Sequence, residues 1–499
     1  MTPNQYTPEE PISSIATALA PAALGIVRVS GKGCIELVSK VFSRPKALLE
    51  AAGNTLVYGW MLDCRVKPDN DNEMSSSGLT RGSKIDEVML AVYRAPKSFT
   101  GEDMVEIFCH GGPAVVMAVQ NLMLKSGFRQ ANRGEYTFRA FINGKTDLTR
   151  AEAVKEIIDS HTDVSRSHAA GRLAGALFSE IDSIKKLIID TLAAIEVEIE
   201  YPEDEETIAD SFDRSDIELA ATRLQALADS WRGEKLYQDG ARVVLAGRTN
   251  AGKSSLFNAI LKEERAIVSD IEGTTRDWLE SWASINGIPV RLFDTAGLRQ
   301  TSDVIEAQGV EISRSLVHDA DVVLYLVDGT SGLNDEDRAF IEKCEESLVV
   351  VYTKSDKCGV LGAEPLGEGG AEAPVASVSL RKEAGARGRL SPSVCKISSK
   401  TGEGLSELFA QIYAILTAGI AGGTTERAQA GLGSARQKES VSAALESVRH
   451  ALVSADDNYT LDAVVQDLED ALDALGEVTG DVTPDDVLGS IFANFCVGK

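Results

Sequence analysis

The sequence predicts a multidomain protein of mixed α/β and α class, in which a parallel α/β domain is inserted into a helical domain and an α+β domain precedes both. Short β-rich runs fill residues 1–145, helical periodicity fills 146–236 and 425–499, and strands alternate with helices over 237–424. At about 100–200 residues per domain, a chain of 499 residues is long enough for these parts, each with a core of its own.

The composition excludes several classes of protein. With 43% hydrophobic and 25% charged residues, the chain is not disordered as a whole. A net charge of −26 argues against a surface that binds polyanions over its whole extent. Residues 1–145 carry 16 Lys and Arg against 14 Asp and Glu, so this third is the better candidate for such contact, the alternative being an ordinary solvated surface.

The seven cysteines and the apolar runs bear on the compartment. No C-x-x-C pair occurs, so we expect neither a disulfide framework nor a zinc cluster, and a reducing environment. No run approaches about 18 apolar residues, and the start lacks the pattern of a secretory signal. We therefore expect a cytoplasmic protein without membrane contact.

The α+β domain is predicted from short runs rich in β-branched residues that alternate with turn residues. The polar stretch Lys67–Ser83 is predicted to be a loop. His110, which precedes Gly-Gly-Pro, is expected in a turn. The predicted strands are Gly25–Ser30, Val88–Val92 and Met104–Cys109, and the predicted helix is Ala114–Lys125.

The helical domain is predicted on both sides of the α/β segment. Leu187, Ile188, Leu192 and Ile195 recur at the spacing of an amphipathic stripe, and helical periodicity resumes after the α/β segment. This arrangement predicts that the α/β domain is an insertion. Within that domain, the Gly- and Ala-rich stretch 359–389 is predicted to be a disordered surface loop, because its composition gives it little to bury.

The strongest motif is a G-x-x-x-x-G-K-S sequence at Gly247–Ser254. It follows an apolar run at Val243–Ala246 and precedes a helical segment at Ser255–Leu261, which is the context of a phosphate-binding P-loop and makes a chance match improbable. Glycines let backbone N–H groups approach the phosphates. Lys253 is expected to contact the β- and γ-phosphates, and Ser254 to bind Mg²⁺.

Three later motifs, each after a predicted strand, identify the nucleotide. In Asp294–Gly297, the carboxylate suits a metal-bound water and the final N–H suits the γ-phosphate. Asp356 can accept hydrogen bonds from N1 and N2 of guanine, which adenine does not offer, so GTP is predicted. Ser398–Lys400 would complete the base pocket. Because ligands bind at the carboxyl ends of parallel strands, these motifs together predict a Ras-like P-loop G domain.

Two positions depart from the usual GTPase pattern. Thr353 stands where Asn-Lys-x-Asp has asparagine, and its hydroxyl is expected to do part of the amide's work. Leu298 stands where many small GTPases have the glutamine that orients water. Either turnover is negligible, or another group takes this role. Asp303 and Glu306, with a cation that supplements Mg²⁺, are candidates; the alternative is that they form a solvated loop.

The motifs resemble those of the tRNA-modification GTPase MnmE (TrmE) family, over essentially the whole chain apart from two inserted loops. The C-terminal Phe-Cys-x-Gly-Lys is highly specific for this family. The segments that carry the likeness are Lys97–Asp103, His110–Pro113, Gly134–Lys145, Gly247–Ser255, Asp270–Asp277, Asp294–Arg299 and Leu488–Lys499.

The resemblance implies an activity. Domain 1–145 would bind folate and dimerise, and the family works with an FAD-dependent partner, MnmG, in a heterotetramer or larger assembly. Together they add a carboxymethylaminomethyl or aminomethyl group at C5 of the wobble uridine of certain tRNAs, with a one-carbon unit from 5-formyl- or methylene-tetrahydrofolate. The G domains would hydrolyse GTP when they dimerise across K⁺, which takes the place of an arginine finger and fits the absence of glutamine at Leu298.

The resemblance also implies roles for residues around GTP. Thr275 would bind Mg²⁺ with Ser254, and Glu306 would orient water. The K⁺ ligands would be Asn250, Ser269, Ile271 and Thr274. The full set of expected GTP-binding residues is Asn250, Ala251, Gly252, Lys253, Ser254, Ser255, Ser269, Asp270, Ile271, Glu272, Gly273, Thr274, Thr275, Asp294, Thr295, Ala296, Gly297, Thr353, Lys354, Ser355, Asp356, Ser398, Ser399 and Lys400.

For the folate, the resemblance implies Arg28, Glu106 and Lys145, with Lys499 reaching in from the C-terminus. A carboxylate suits the donor edge of a pterin, and cations suit a glutamate tail. Taken alone, these residues are ordinary surface charges. Cys496 is a candidate thiolate nucleophile, and the alternative is a packing residue.

Two other functions stay open at this point. A regulatory GTPase of ribosome assembly would share the G domain but lack the folate domain and the tail. A folate-dependent methylene or formyl transferase would use GTP only for regulation.

Overall fold

The computed structural model describes residues 10–63, 83–200, 214–263, 280–294, 315–357, 393–418, 420, 430–456 and 461–498. The predicted loops at Lys67–Ser83 and 359–389 lie outside them, except for Ser83. The chain divides into two compact units. One contains the described residues of 1–159, 168–231 and 423–499, and the other contains those of 160–167 and 232–422.

The first unit begins with a six-stranded sheet of order β3-β4-β5-β2-β1-β6, in which only the short β1–β6 pair is parallel. Its strands are β1 (Ile12–Ile15), β2 (Leu24–Ser30), β3 (Thr55–Asp63), β4 (Ser83–Tyr93), β5 (Met104–His110) and β6 (Arg129–Gln130). The helices of this part are α1 (Cys34–Ser39), α2 (Pro45–Leu49), α3 (Pro113–Lys125) and α4 (Glu135–Ile142).

Strand alternation divides this sheet into a core face and a second face. Val27 and Ile107 are fully buried in a cluster that includes α3 residues such as Val119. Because successive side chains of a strand point to opposite faces, Arg28 and Glu106, which are direct register partners, lie on the other face. The pairing of β2 with β5 therefore brings two predicted folate residues together.

The structure corrects the prediction for His110. This residue ends β5 and pairs with Leu24 rather than lying in a turn. Its backbone N–H and its ring Nδ1 both contact the Asp86 carboxylate, at 2.8 and 2.7 Å. The Gly-Gly-Pro sequence ends the strand only at Gly111, because the pairing of β5 with β2 extends through His110. Hydrogen bonding to Asp86 raises the pKa of His110.

In the described residues that follow, four helices precede the α/β domain. The helices are α5 (Leu148–Asp159), α6 (Asp163–Leu173), α7 (Ala176–Glu200) and α8 (Arg214–Asp239). The sheet of the α/β domain has the order β12-β11-β10-β7-β9-β8. Its elements are β7 (Ala241–Gly247), α9 (Lys253–Glu263), β8 (Glu280–Ile285), β9 (Ile288–Asp294), β10 (Val322–Asp328), α10 (Asp335–Lys343), β11 (Leu348–Thr353), β12 (Ser393–Lys396) and α11 (Leu405–Leu416).

This sheet is parallel except at one edge. β8 pairs antiparallel with β9, so the prediction of a parallel sheet does not hold at this edge. The two strands form a hairpin whose connecting residues, Asn286 and Gly287, have φ of 50° and 87°. Asn-Gly favours these positive angles, so the hairpin has a local sequence cause. One apolar cluster of described residues includes Leu245 in β7, and another includes Val323 in β10. The two clusters lie on opposite faces of the sheet, because successive side chains of a strand point to opposite faces.

The C-terminal helices complete the helical core. They are α12 (Ala435–Asp456), α13 (Leu461–Thr479) and α14 (Asp485–Ala493). Ile184 and Leu224, which precede the α/β domain, share one buried cluster with Val448 and Leu468, which follow it. The α/β domain is thus inserted into a helical domain, and the predicted fold class is confirmed. In the described part of the chain, no helix combines the length and apolar character needed to cross a membrane.

Candidate functional site

The P-loop connects β7 to α9 at the carboxyl end of the parallel sheet. Gly247 has a φ of 132°, and a Cβ there would lie 2.4 Å from the carbonyl oxygen of Leu326 in β10. Gly252 has a φ of 96°. Both angles are disfavoured for residues with a side chain, so the glycines of the motif are required by the backbone itself. The N-terminus of α9 starts within the motif, at Lys253.

Lys253 lies along the loop that precedes it. Its ammonium donates hydrogen bonds to the carbonyl oxygens of Gly247 and Arg248, at 2.7 and 2.8 Å. The side chain is only 7% exposed. These contacts hold a positive charge against the loop and next to the helix N-terminus, which is an arrangement suited to phosphate.

Ser254 and Asp294 form the candidate magnesium site. The Ser254 hydroxyl donates a hydrogen bond to Asp294 Oδ2 at 2.9 Å, which joins the start of α9 to the end of β9. Hydroxyl and carboxylate oxygens are the ligands that Mg²⁺ prefers, and they commonly bind it directly or through water. The donor set therefore fits the ion that the motif predicts.

The guanine motif follows β11, which lies two strands away from β7 in the sheet. Asp356 is exposed in a short 3₁₀ helix, and its Oδ1 accepts a hydrogen bond of 2.8 Å from the fully buried Ser398 hydroxyl. The backbone N–H of Ser355 donates to the carbonyl oxygen of Ile397. These two contacts join the two predicted base motifs. Ser399 and Lys400 follow in a turn.

The sequence did not reveal the contacts between the guanine motif and the P-loop. Lys354 has a φ of 62°, and its ammonium donates to the carbonyl oxygen of Asn250 at 3.1 Å and to Asp328 Oδ2 at 2.5 Å. Burial raises the pKa of Asp328, but hydrogen bonds from Lys354 and Thr330 outweigh this effect and lower the pKa to about 2. Asp328 is thus ionised at neutral pH and holds Lys354 in place. No motif marked Asp328, which simply ends β10.

The second group of predicted residues lies on the N-terminal sheet. The Arg28 guanidinium donates to Glu106 Oε1 from Nε at 2.9 Å and from Nη2 at 2.6 Å. Both side chains are largely buried. Three aromatic residues lie next to the pair. The Tyr93 hydroxyl lies 3.5 Å from Glu106, and the ring centres of Phe99 and Tyr136 each lie within 6 Å of the Arg28 guanidinium. Phe99 and Tyr136 lie in segments that carry the family likeness, whereas Tyr93 lies in none of the segments that the sequence singled out.

The C-terminal tail reaches the same ion pair. Nη1 of Arg28 donates to the carbonyl oxygen of Gly498 at 3.1 Å. Val497 forms an isolated bridge with Arg133, and the carbonyl oxygen of the exposed Cys496 accepts from the N–H of Gly134. The first and last parts of the chain therefore form one site.

Lys145 contacts the loop that carries Phe99. Its ammonium donates to the carbonyl oxygen of Pro96 at 3.0 Å, and its side chain is exposed. The structure therefore brings Arg28, Glu106 and the tail into contact, whereas Lys145 contacts the loop that carries Phe99.

Several predicted residues lie outside the described part of the chain, and their roles stay predictions. This group also contains Leu298 and Asp303. The predicted site residues in it are Ser269, Asp270, Ile271, Glu272, Gly273, Thr274, Thr275, Thr295, Ala296, Gly297, Glu306 and Lys499.

Replacing Gly498 with alanine should release the tail. A Cβ would lie 2.6 Å from the carbonyl oxygen of Ile15, and the φ of 94° is one that side chains rarely adopt. We expect backbone amides at the Gly134 contact and in the tail to exchange about tenfold faster or more, as measured by hydrogen–deuterium exchange. Gly144→Ala is the matched control, because its φ is 65° but nothing lies within 4 Å of an added Cβ. Equal exchange in both variants would contradict the docked tail.

Comparisons with known proteins identify the family of the chain. Residues 148–496 match the model of the MnmE helical domain, and residues 11–145 match that of the GTP-binding protein TrmE N-terminus. The chain is 48% identical to the tRNA modification GTPase MnmE of Treponema denticola, over 99% of each chain. It is 43% identical to that of Treponema pallidum over the full length of both, and 37% identical to that of Borrelia turicatae over 99% of this chain and 100% of the relative. The chain therefore belongs to the family that its motifs predict, the MnmE family of tRNA modification GTPases.

Proposed function

We propose that this protein hydrolyses GTP in its α/β domain and acts, as a homodimer with MnmG, in modifying C5 of the wobble uridine of tRNA. One observation carries the GTP-hydrolysis part of the proposal, and membership of the family supports the part in tRNA modification. Lys253 on the phosphate loop, the Ser254–Asp294 pair and the Ser398-supported Asp356 all lie at the carboxyl ends of one parallel sheet. Phosphate, metal and guanine ligands thus occur in the order that a bound GTP requires.

Different described residues would bind the phosphates, the metal ion and the base of the nucleotide. The N–H groups at the start of α9 and the Lys253 ammonium would bind the β- and γ-phosphates. Ser254 would hold Mg²⁺ directly and Asp294 through water, and the ion would offset negative charge on the phosphates. Asp356 would accept hydrogen bonds from N1 and N2 of guanine. In this proposal, Thr275 completes the metal site and Glu306 orients water.

Asn250 supports the proposed potassium site. The residue has a φ of 64°, and Lys354 holds its carbonyl oxygen. This geometry fixes the backbone, while the side chain is exposed at the edge of the P-loop. The exposed amide oxygen would bind K⁺, together with Ser269, Ile271 and Thr274. Two such G domains pressed together across the ion would supply the positive charge that an arginine finger supplies elsewhere.

The Arg28–Glu106 pair supports the proposed folate site. A carboxylate held in place by a guanidinium suits the donor edge of a pterin, and Phe99 and Tyr93 add aromatic side chains beside the pair. Tetrahydrofolate would supply the one-carbon unit. In this proposal, Lys145 and Lys499 pair with the carboxylates of the glutamate tail.

Two parts of the proposal concern organisation and the tail thiol. Cys496 is the candidate nucleophile, because it is an exposed thiol on the segment that reaches Arg28. The proposed domains are 1–145 for folate binding and dimerisation, 146–236 with 425–499 for the helical domain, and 237–424 for the G domain.

Changing the base-reading carboxylate should change the nucleotide that is hydrolysed. An Asp356→Asn variant offers an amide to N1 and N2, so we expect kcat/KM for GTP to fall at least about 100-fold and the preference to shift toward xanthosine triphosphate. Phosphate release measures both rates. Asp319→Asn, an exposed carboxylate of the same domain, is the control. An Asp356 variant that kept its preference for GTP would contradict the proposed base contact.

Potassium should be needed for fast turnover. We expect GTP hydrolysis in KCl to exceed that in NaCl at equal ionic strength by about tenfold or more, because only a well-fitted ion supplements Mg²⁺ at the phosphates. Asn250→Ala should reduce the rate in KCl to the rate in NaCl. Equal rates in the two salts for the unaltered protein would reject the potassium site.

Loss of the protein should change the wobble nucleoside. In a strain that lacks the gene, nucleoside mass spectrometry of tRNA should show loss of the C5 modification. The unaltered gene and the Asp319→Asn variant should restore it, and Asp356→Asn should not. An unchanged nucleoside profile, combined with normal GTP hydrolysis, would favour the ribosome-assembly alternative.

A further inference from the structure

Thr353 occupies the first position of the guanine motif, and its surroundings differ from those of a side chain that contacts a ligand. It is the last residue of β11 and the register partner of Asp328 in β10. Its side chain is 2% exposed. Asp356, three residues further on, is exposed. Within one short motif, therefore, one side chain faces outward and the other is enclosed by protein.

The Thr353 hydroxyl is already used inside the protein. A threonine hydroxyl has a single hydrogen to donate. The carbonyl oxygen of Ala251 in the P-loop lies 2.7 Å from Oγ1, and that of Val327 lies 3.3 Å away. The shorter distance is typical of a hydroxyl donor, so the hydrogen is directed to the P-loop. No second hydrogen is left for an acceptor on a base.

The packing around this hydrogen bond is close. A Cβ added at Gly252 would lie 3.4 Å from Oγ1 of Thr353 and 3.5 Å from its Cβ and Cγ2. The branched side chain thus covers the glycine of the loop as well as binding the residue before it. The next residue acts in the same way, because the Lys354 ammonium donates to the carbonyl oxygen of Asn250. Two consecutive P-loop carbonyls are held by two consecutive residues of the guanine motif.

We propose that Thr353 is a positioning residue for the phosphate-binding loop and makes no contact with the base, so that Asp356 provides base recognition in this motif. The proposal rests on GTP being the ligand of this site. It gives the threonine a defined effect: the hydroxyl sets the conformation of the loop that binds the phosphates. Removing the hydroxyl should therefore weaken the binding of phosphates by the P-loop and leave recognition of the base unchanged.

Thr353→Val tests this, because it removes the hydroxyl and keeps the shape. We expect the affinity for GDP to fall about tenfold, since a buried carbonyl loses its partner. The affinity for 7-deaza-GDP, which lacks the N7 acceptor of guanine, should fall by the same factor. GMP has no β-phosphate and should lose less than about threefold. Competition against a fluorescent GDP measures all three constants.

Matched variants separate the possible outcomes. Thr353→Ser retains the hydroxyl and should recover most of the affinity for GDP. Thr417→Val makes the same chemical change at an exposed helix hydroxyl that bonds to Tyr413, and it should bind all three nucleotides as the unaltered protein does.

Four results would count against the proposal or its basis. If the unaltered protein discriminates against 7-deaza-GDP and Thr353→Val abolishes this, the hydroxyl contacts the base. An equal loss for GMP and GDP would indicate a general folding role. An unchanged affinity for GDP would show that the hydrogen bond to Ala251 has no effect on binding. If the unaltered protein binds none of the guanine nucleotides, the proposed function itself fails.

Discussion

The nucleotide site depends on one close approach between two parallel strands. Gly247 ends β7 against the carbonyl oxygen of Leu326 in β10, where a side chain would not fit. The chain can therefore leave the sheet directly over β10 and form the loop that leads into α9. The path of this loop sets the positions of Lys253 and Ser254, because both residues lie in the first turn of α9.

Polar contacts between strand ends then fix the loop. The ends of β10 and β11 provide Asp328, Thr353 and Lys354, which together hold the carbonyl oxygens of Asn250 and Ala251. The end of β9 provides Asp294 for Ser254. These contacts connect the predicted guanine motif directly to the P-loop.

The N-terminal site is formed by strand pairing and by contacts from the C-terminal tail. Strand pairing places Arg28 opposite Glu106, and the tail residues Val497 and Gly498 add backbone contacts from the other end of the sequence. Phe138 in α4, Leu148 in α5 and Phe492 in α14 pack in one apolar cluster, which holds the last helix against the helices that follow Gly134. The specific C-terminal sequence thus has a structural reason as well as any chemical one.

The sequence alone determined the class of the main elements and predicted the classes of ligand. Apolar runs predicted the parallel strands, the P-loop motif predicted a phosphate ligand and Asp356 predicted guanine, because each prediction depends on local spacing or on the chemistry of one side chain. The family likeness added Arg28 and Glu106. Where short-range signals conflicted with pairing, as at His110, or were overlooked, as at Asn286-Gly287, the sequence interpretation was wrong or incomplete.

The tertiary structure decided which groups face each other. Neither the use of the Thr353 hydroxyl by Ala251, nor the ionised Asp328 beneath Lys354, nor the arrival of Gly498 at Arg28 can be derived from spacing along the chain. These contacts join residues 102, 26 and 470 positions apart. Their geometry depends on strand register and packing, which are properties of the folded chain as a whole.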